Sequence, residues 1–307
     1  MESLINRGIE TYELEDKENK NCNVYIFEPI KCLLSLEVTN IEILIEEINS
    51  SCSKIIFVIM DSTMHNYNEL FEGINKELKS NKKNVVFIDV RSGIKMDQQG
   101  LEIGNLGVAT WYVHKKNSKY AKMLFDFIDH YKGILGDNIS YNKLVSLEMF
   151  SSALSRQYSR IVHTTAFDFA HSIVVKSNKY IKQVIYPELK YKNENLVMPF
   201  LFIKFDLKNA EEYNQLLENI VGICATEGLV LPYRNSFGFR YPSIEYIYDY
   251  RTDENVIKLY LGVYKGGIYE FLLNIINTLG GNDNPKIENM ICKKIKRWEQ
   301  RKCIDVK

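Results

Sequence analysis

A chain of 307 residues with 46% hydrophobic content has enough apolar material for one large or two modest cores. Lys+Arg and Asp+Glu are both 39, so the formal net charge is zero, which argues against nucleic acid or an anionic membrane as the main partner. Six scattered cysteines with no Cys-x-x-Cys read as reduced thiols, not as a disulfide frame or a zinc site. No signal-peptide pattern opens the sequence, and no apolar run nears the roughly 20 residues of a membrane span. The expectation is a soluble cytoplasmic protein.

In chain order, Gly8 to Leu14 alternates like a short strand. Asn23-Val24-Tyr25-Ile26-Phe27 is a stronger strand, stopped by Glu28-Pro29. Ile41, Leu44, Ile45 and Ile48 have helical spacing. Lys54 to Met60 is a fully apolar strand ending in Asp61-Ser62-Thr63, and Tyr67 to Leu78 looks helical. Val85 to Val90 is again a strand, closed by the polar turn Arg91-Ser92-Gly93-Ile94-Lys95. Strand, helix, strand, helix, strand predicts a parallel sheet with right-handed crossovers. A strand over Ala109–Val113 follows, then a helical pattern from Ser118 broken at Gly133, and a long helical region from Tyr141 to Ser177.

Further strands are predicted at Val184–Tyr186, Met198–Phe205 and Val256–Val263, with helices at Ala210–Val221 and Ile268–Leu279. The tail Asn284–Arg301 places Ile287, Ile291, Ile295 and Trp298 on one face of an amphipathic helix. The chain divides into an α/β layer over residues 1–150 and an α+β part over 151–307.

Chemistry in α/β sheets collects just past the C-terminal ends of parallel strands. Asp61 and Lys95 stand at two such ends, and a parallel sheet would open both at one edge. An amine that can form a Schiff base, with a carboxylate to keep a pyridine nitrogen protonated, suits pyridoxal phosphate. An ordinary strand-terminal Asp and Lys is the competing reading. The five histidines show no metal-ligand spacing, and there is neither a nucleophile elbow nor a phosphate-binding Gly-x-x-x-x-Gly-Lys. No metal is expected. Gly100, Gly104 and Gly107 are read as relieving close packing after Lys95.

The order and spacing of these segments resemble the fold type I pyridoxal-phosphate-dependent transferases, nearest the Cys/Met-metabolism branch that includes cystathionine γ-synthase. Val24-Tyr25-Ile26-Phe27-Glu28-Pro29 is similar to that family's strand leading to Glu-x-Pro, and Asp61-Ser62-Thr63 to its Asp-x-Thr. Ser92-Gly93-Ile94-Lys95 resembles its Ser-x-x-Lys, and Val184-Ile185-Tyr186-Pro187-Glu188-Leu189 its Val-x-Tyr-Pro-x-Leu. Ser236-Phe237-Gly238 and Ile257 to Gly262 resemble the closing part. The resemblance implies a large domain with a mostly parallel sheet, a small C-terminal α+β domain, and pyridoxal 5'-phosphate as cofactor. It implies Lys95 as the catalytic Schiff-base lysine, Asp61, Thr63 and Ser92 as further cofactor ligands, and Ser236 and Lys258 near the substrate carboxylate. The activity implied is that of a transferase or lyase in amino acid metabolism, and the assembly a dimer or other oligomer.

The departures shape the expectation as much as the matches. Lys258 stands where the family has an arginine, keeping charge but losing the bidentate fork. Ile30-Lys31-Cys32 replaces an Asn-Pro, and Ile103 stands where an aminotransferase arginine would be. The family's N-terminal segment, which supplies the phosphate cup and the ring-stacking aromatic, has no counterpart in the sequence. The expectation is therefore a partial large domain, completed by another chain that supplies the cup. A non-catalytic subunit of the same fold that stabilises or regulates a partner, or a truncated reading frame, are the alternatives.

Overall fold

The computed structural model describes residues 23–64, 76, 84–113, 118–135, 152–175, 180–193, 196–234, 238 and 240–279. The expected strand at Gly8–Leu14, the helix at Tyr67–Leu78 apart from Lys76, Ser236 with Phe237, and the amphipathic tail Asn284–Arg301 lie outside the described residues.

Among the described residues, two four-stranded sheets carry the fold. The first has the order β1 (Val24–Phe27), β2 (Ile56–Asp61), β3 (Val85–Ser92), β4 (Gly107–Val113). β1 and β2 pair in parallel, as do β2 and β3, while β4 returns antiparallel to β3. The crossover from β1 to β2 carries helix α1 (Ile41–Ser50), capped by Asn40, whose side chain accepts from the Glu42 and Ile43 amides. Loss of that cap would cost about 1 kcal/mol.

Strand alternation separates the two faces of this sheet. Tyr25, Ile56, Val58, Met60, Val85 and Phe87 turn one way and form a core with Leu44 and Ile48 of α1. The other face holds Val24, Ile26, Phe57, Ile59 and Asp61, and, by register, Val86, Ile88, Val90 and Ser92. That second face is open at its β1 edge: Val24 is 44% and Ile26 59% exposed.

The second sheet is antiparallel throughout, in the order β5 (Ile181–Ile185), β6 (Phe200–Phe205), β8 (Glu254–Tyr260), β7 (Ser243–Asp249). The long helix α3 (Ser152–Ser172), α5 (Ala210–Thr226) and α6 (Ile268–Thr278) contribute Phe169, Leu217 and Leu272 to its core. Ile30, Leu34, Leu36, Met64 and Met96 join the same cluster, so the loops after β1, β2 and β3 are anchored in the core of the second sheet.

Several boundaries differ from the sequence reading. β3 runs on through Arg91 to Ser92, because its antiparallel ladder with β4 extends to Ser92–Gly107. Helix α2 (Ser118–Leu135) continues through Gly133. Strand β7 was not anticipated, nor was the one-turn helix α4 (Pro187–Tyr191), which starts with proline at its first position.

Candidate active site

The parallel register of β2 and β3 places Asp61 beside Val90, so both strands end at one edge and on one face. The turn after β2 is held by four backbone-directed hydrogen bonds. Asp61 Oδ1 accepts from the Thr63 amide at 2.8 Å, and the Ser62 amide donates to the Val90 carbonyl at 2.9 Å. The Ser92 amide donates to Thr63 Oγ1 at 2.9 Å, which ties the two strand ends together. His163 Nε2 lies 2.8 Å from the Met64 carbonyl.

Past β3, the turn that carries Lys95 is fixed from both sides. Arg91 grips Asp97 through Nε and Nη2 at 2.9 and 3.1 Å and reaches Asp89 through Nη1 at 3.1 Å. Buried Gln98 donates to the Gly104 carbonyl at 2.6 Å and accepts from the Gly104 amide. The chain then turns through Gln99 and Gly100 with positive φ, and the Gly100 amide donates to the Lys95 carbonyl. Gly100 is needed for packing as expected, since a Cβ there would strike Tyr158 Oη; at Gly107 nothing lies near, so close packing does not explain that glycine.

Lys95 is half-buried, and burial is the main reason its amine loses its proton more easily than an ordinary lysine. The Lys258 charge pushes in the same direction, while Cys32 and Asp61 oppose it. Lys258, on β8, is buried and stands opposite Glu245 of β7 in the register, with Nζ 4.3 Å from the centre of the Phe200 ring. Burial raises the Glu245 carboxyl and Lys258 lowers it. Cys32 is pushed up by burial and pulled down by Lys258 and Lys95, and Glu28 is raised by burial and by Asp61.

Asp61, Thr63, Ser92, Lys95 and Lys258 thus share one neighbourhood, and Ser236 lies outside the described residues. Cys32, Glu28 and Glu245 belong to the same neighbourhood, although no motif pointed to the last. Gly238 also borders it: its would-be Cβ faces Lys95, and its carbonyl accepts from Tyr158 Oη at 2.9 Å. Arg240 closes the rim by donating from Nε to the Gln99 carbonyl at 3.0 Å. Among the described residues, no group of His, Cys, Asp or Glu could hold a metal ion, and no helix is long and apolar enough to cross a membrane.

No protein-family model and no curated protein matches the chain. Its fold is similar to that of apo CalE6, a methionine gamma lyase from Micromonospora echinospora, with a TM-score of 0.52 and 13% identity. The match covers 87% of this chain and 64% of the lyase, so the chain spans less than two thirds of that protein's length. At this identity the likeness carries the fold alone. A mixed α/β chain whose first sheet is mostly parallel is what sequence and structure share.

Proposed function

We propose that this chain takes part in pyridoxal-5'-phosphate-dependent chemistry on an amino acid, as a transferase or lyase in which Lys95 attaches the cofactor. The observation that carries the reading is the half-buried Lys95 amine, disposed to lose its proton, at the same sheet edge as Asp61. The donor set fits the group. Lys95 supplies the amine for its carbonyl, Asp61 a carboxylate for its ring nitrogen, Ser92 a hydroxyl for its phosphate, and Thr63 a further hydroxyl. Lys258 brings a cation suited to a substrate carboxylate, with Ser236 as a second contact. When bound, the cofactor supplies an electron sink for the pair released at the substrate's α-carbon.

In this reading residues 1–150 form part of the cofactor-binding domain and 151–307 the small domain of a cytoplasmic homo- or hetero-oligomer. A partner chain lies over the open face of the first sheet and supplies the remainder of the cofactor cup. The exposure of Val24 and Ile26 on the face that bears Asp61 and Ser92 supports such a covering layer. The same exposure favours a second reading, a subunit of this fold that binds and stabilises or regulates a partner without chemistry of its own.

One experiment separates them. The chain is purified alone and after co-expression with the polypeptide encoded beside it, mixed with pyridoxal 5'-phosphate, and reduced with borohydride. The enzyme reading expects a visible absorption band, a covalent mass increment on Lys95, and loss of both in Lys95→Ala. A co-purifying partner with no label on Lys95 in any sample would leave the non-catalytic reading standing.

A further inference from the structure

One face of α3 meets three segments of the candidate site. Ser155 Oγ donates to the Asp97 carbonyl at 2.9 Å, in the turn that carries Lys95. Tyr158 Oη donates to the Gly238 carbonyl at 2.9 Å, on the loop against Lys95. His163 Nε2 reaches the Met64 carbonyl at 2.8 Å, at the end of the turn that carries Asp61. The spacing of 155, 158 and 163 keeps these groups along one side of a helix.

Of the three, His163 is the most confined, at 2% exposed. Its Nδ1 lies 2.7 Å from the Ser159 carbonyl and 3.5 Å from Ser159 Oγ. Ser159 is four residues earlier on the helix, so its carbonyl is already an acceptor for the His163 amide in the helical pattern. Met64 lies past the end of β2, and a buried carbonyl without a donor is costly. A neutral imidazole has a single N–H, and placing it on Nε2 satisfies the Met64 carbonyl. Burial favours the neutral ring, against the opposing pull of the Ser159 and Met64 carbonyls, and no charged side chain contributes to that balance.

We propose that His163 is a positioning residue: by donating from Nε2 to the Met64 carbonyl it locks the 61–64 turn, and with it the Asp61 carboxylate and the Thr63 hydroxyl that receives the Ser92 amide. The consequence for the cofactor rests on the proposed function, in which Asp61 faces the ring nitrogen. The lock itself does not.

The test uses the full chain and three variants. The amide of a glutamine falls near the position of Nε2 and that of an asparagine near Nδ1, so His163→Gln keeps the donor to Met64 and His163→Asn does not. His163→Leu removes it outright. Amide hydrogen exchange read by mass spectrometry over residues 61–64 should quicken about tenfold in the Leu and Asn variants and stay within about threefold of wild type in Gln, as expected for loss of one buried hydrogen bond. Strand β6 (Phe200–Phe205) serves as the internal reference and should not change.

Equal exchange in the Asn and Gln variants would overturn the proposal, as would unchanged exchange in Asn. If the Leu variant fails to fold, the Gln and Asn pair still decides. In parallel, pyridoxal 5'-phosphate should bind about tenfold more weakly to Asn than to Gln, a contrast that a purely structural role would not give. A wild-type chain that binds no cofactor, alone or with its co-expressed partner, while the exchange contrast holds sinks the cofactor reading and leaves the lock intact.

Discussion

Gly238 rests directly on Lys95: a Cβ at position 238 would stand 2.7 Å from the lysine's own Cβ, and the glycine holds a φ of +94°. Both facts exclude a side chain there, one by contact and one by backbone strain. Gly238→Ala should therefore cost about 1–3 kcal/mol in stability and displace Lys95. Urea denaturation reads the first effect. Borohydride labelling of Lys95 with pyridoxal 5'-phosphate reads the second, and should fall by more than the stability loss alone removes from the folded population.

Lys95 gives a pH dependence with a definite sign. Its folded-state midpoint lies below the ordinary 10.5, chiefly through burial and then through Lys258. Well below that midpoint both folded and unfolded chains hold the proton, and the folded chain bears a buried charge. Between the midpoint and 10.5 only the unfolded chain holds it, so wild-type stability rises with pH through this window. Lys95→Met should be the more stable protein at low pH, with the difference shrinking as pH climbs to 10.5. In Lys258→Met the Lys95 midpoint should move upward yet stay below 10.5, because burial, the larger cause, remains. Competitive acetylation of Lys95 against pH measures that shift.

Arg91 holds a buried charge in check. Asp89, with a side chain 3% exposed, is driven up by burial and held down by the Arg91 guanidinium, 3.1 Å away. Arg91→Met leaves Asp89 without its cation and should cost about 3 kcal/mol. Arg91→Lys keeps the charge but loses the two-pronged grip on Asp97, and should cost about 1–2 kcal/mol. Adding Asp89→Leu to Arg91→Met should recover most of the loss, since the uncompensated carboxylate is then gone. Chemical denaturation of wild type, Arg91→Met, Asp89→Leu and the double variant completes the cycle.

The first three strands and the helix at Ile41–Ser50 were readable because each of those strands is an apolar run closed by a polar turn. That pattern also carried Asp61 and Lys95 to one edge, which the parallel register bears out. Strand β7 was missed because Glu245 and Asp249 interrupt its apolar residues, and only Ser243, Ile244 and Asp249 in it are buried. The end of β3 was placed too early because Arg91 and Ser92 look like a turn, whereas the ladder to β4 recruits them. Glu245 joined the site only through its register with Lys258, a cross-strand relationship that no local spacing announces.

Hydrophobic periodicity and strand-end chemistry are local properties, and with them the sequence by itself determined roughly where every strand but β7 falls, that an α/β layer comes first, and that a lysine and a carboxylate end neighbouring strands. Only tertiary structure decided what surrounds that pair. Tyr158 on Gly238, His163 on Met64 and Lys258 near Lys95 join residues far apart in the chain. The depressed Lys95 amine is likewise set by burial and by charges brought in from the second sheet. Such contacts arise when separate elements pack, and the burial they create shifts the protonation of the groups they bring together.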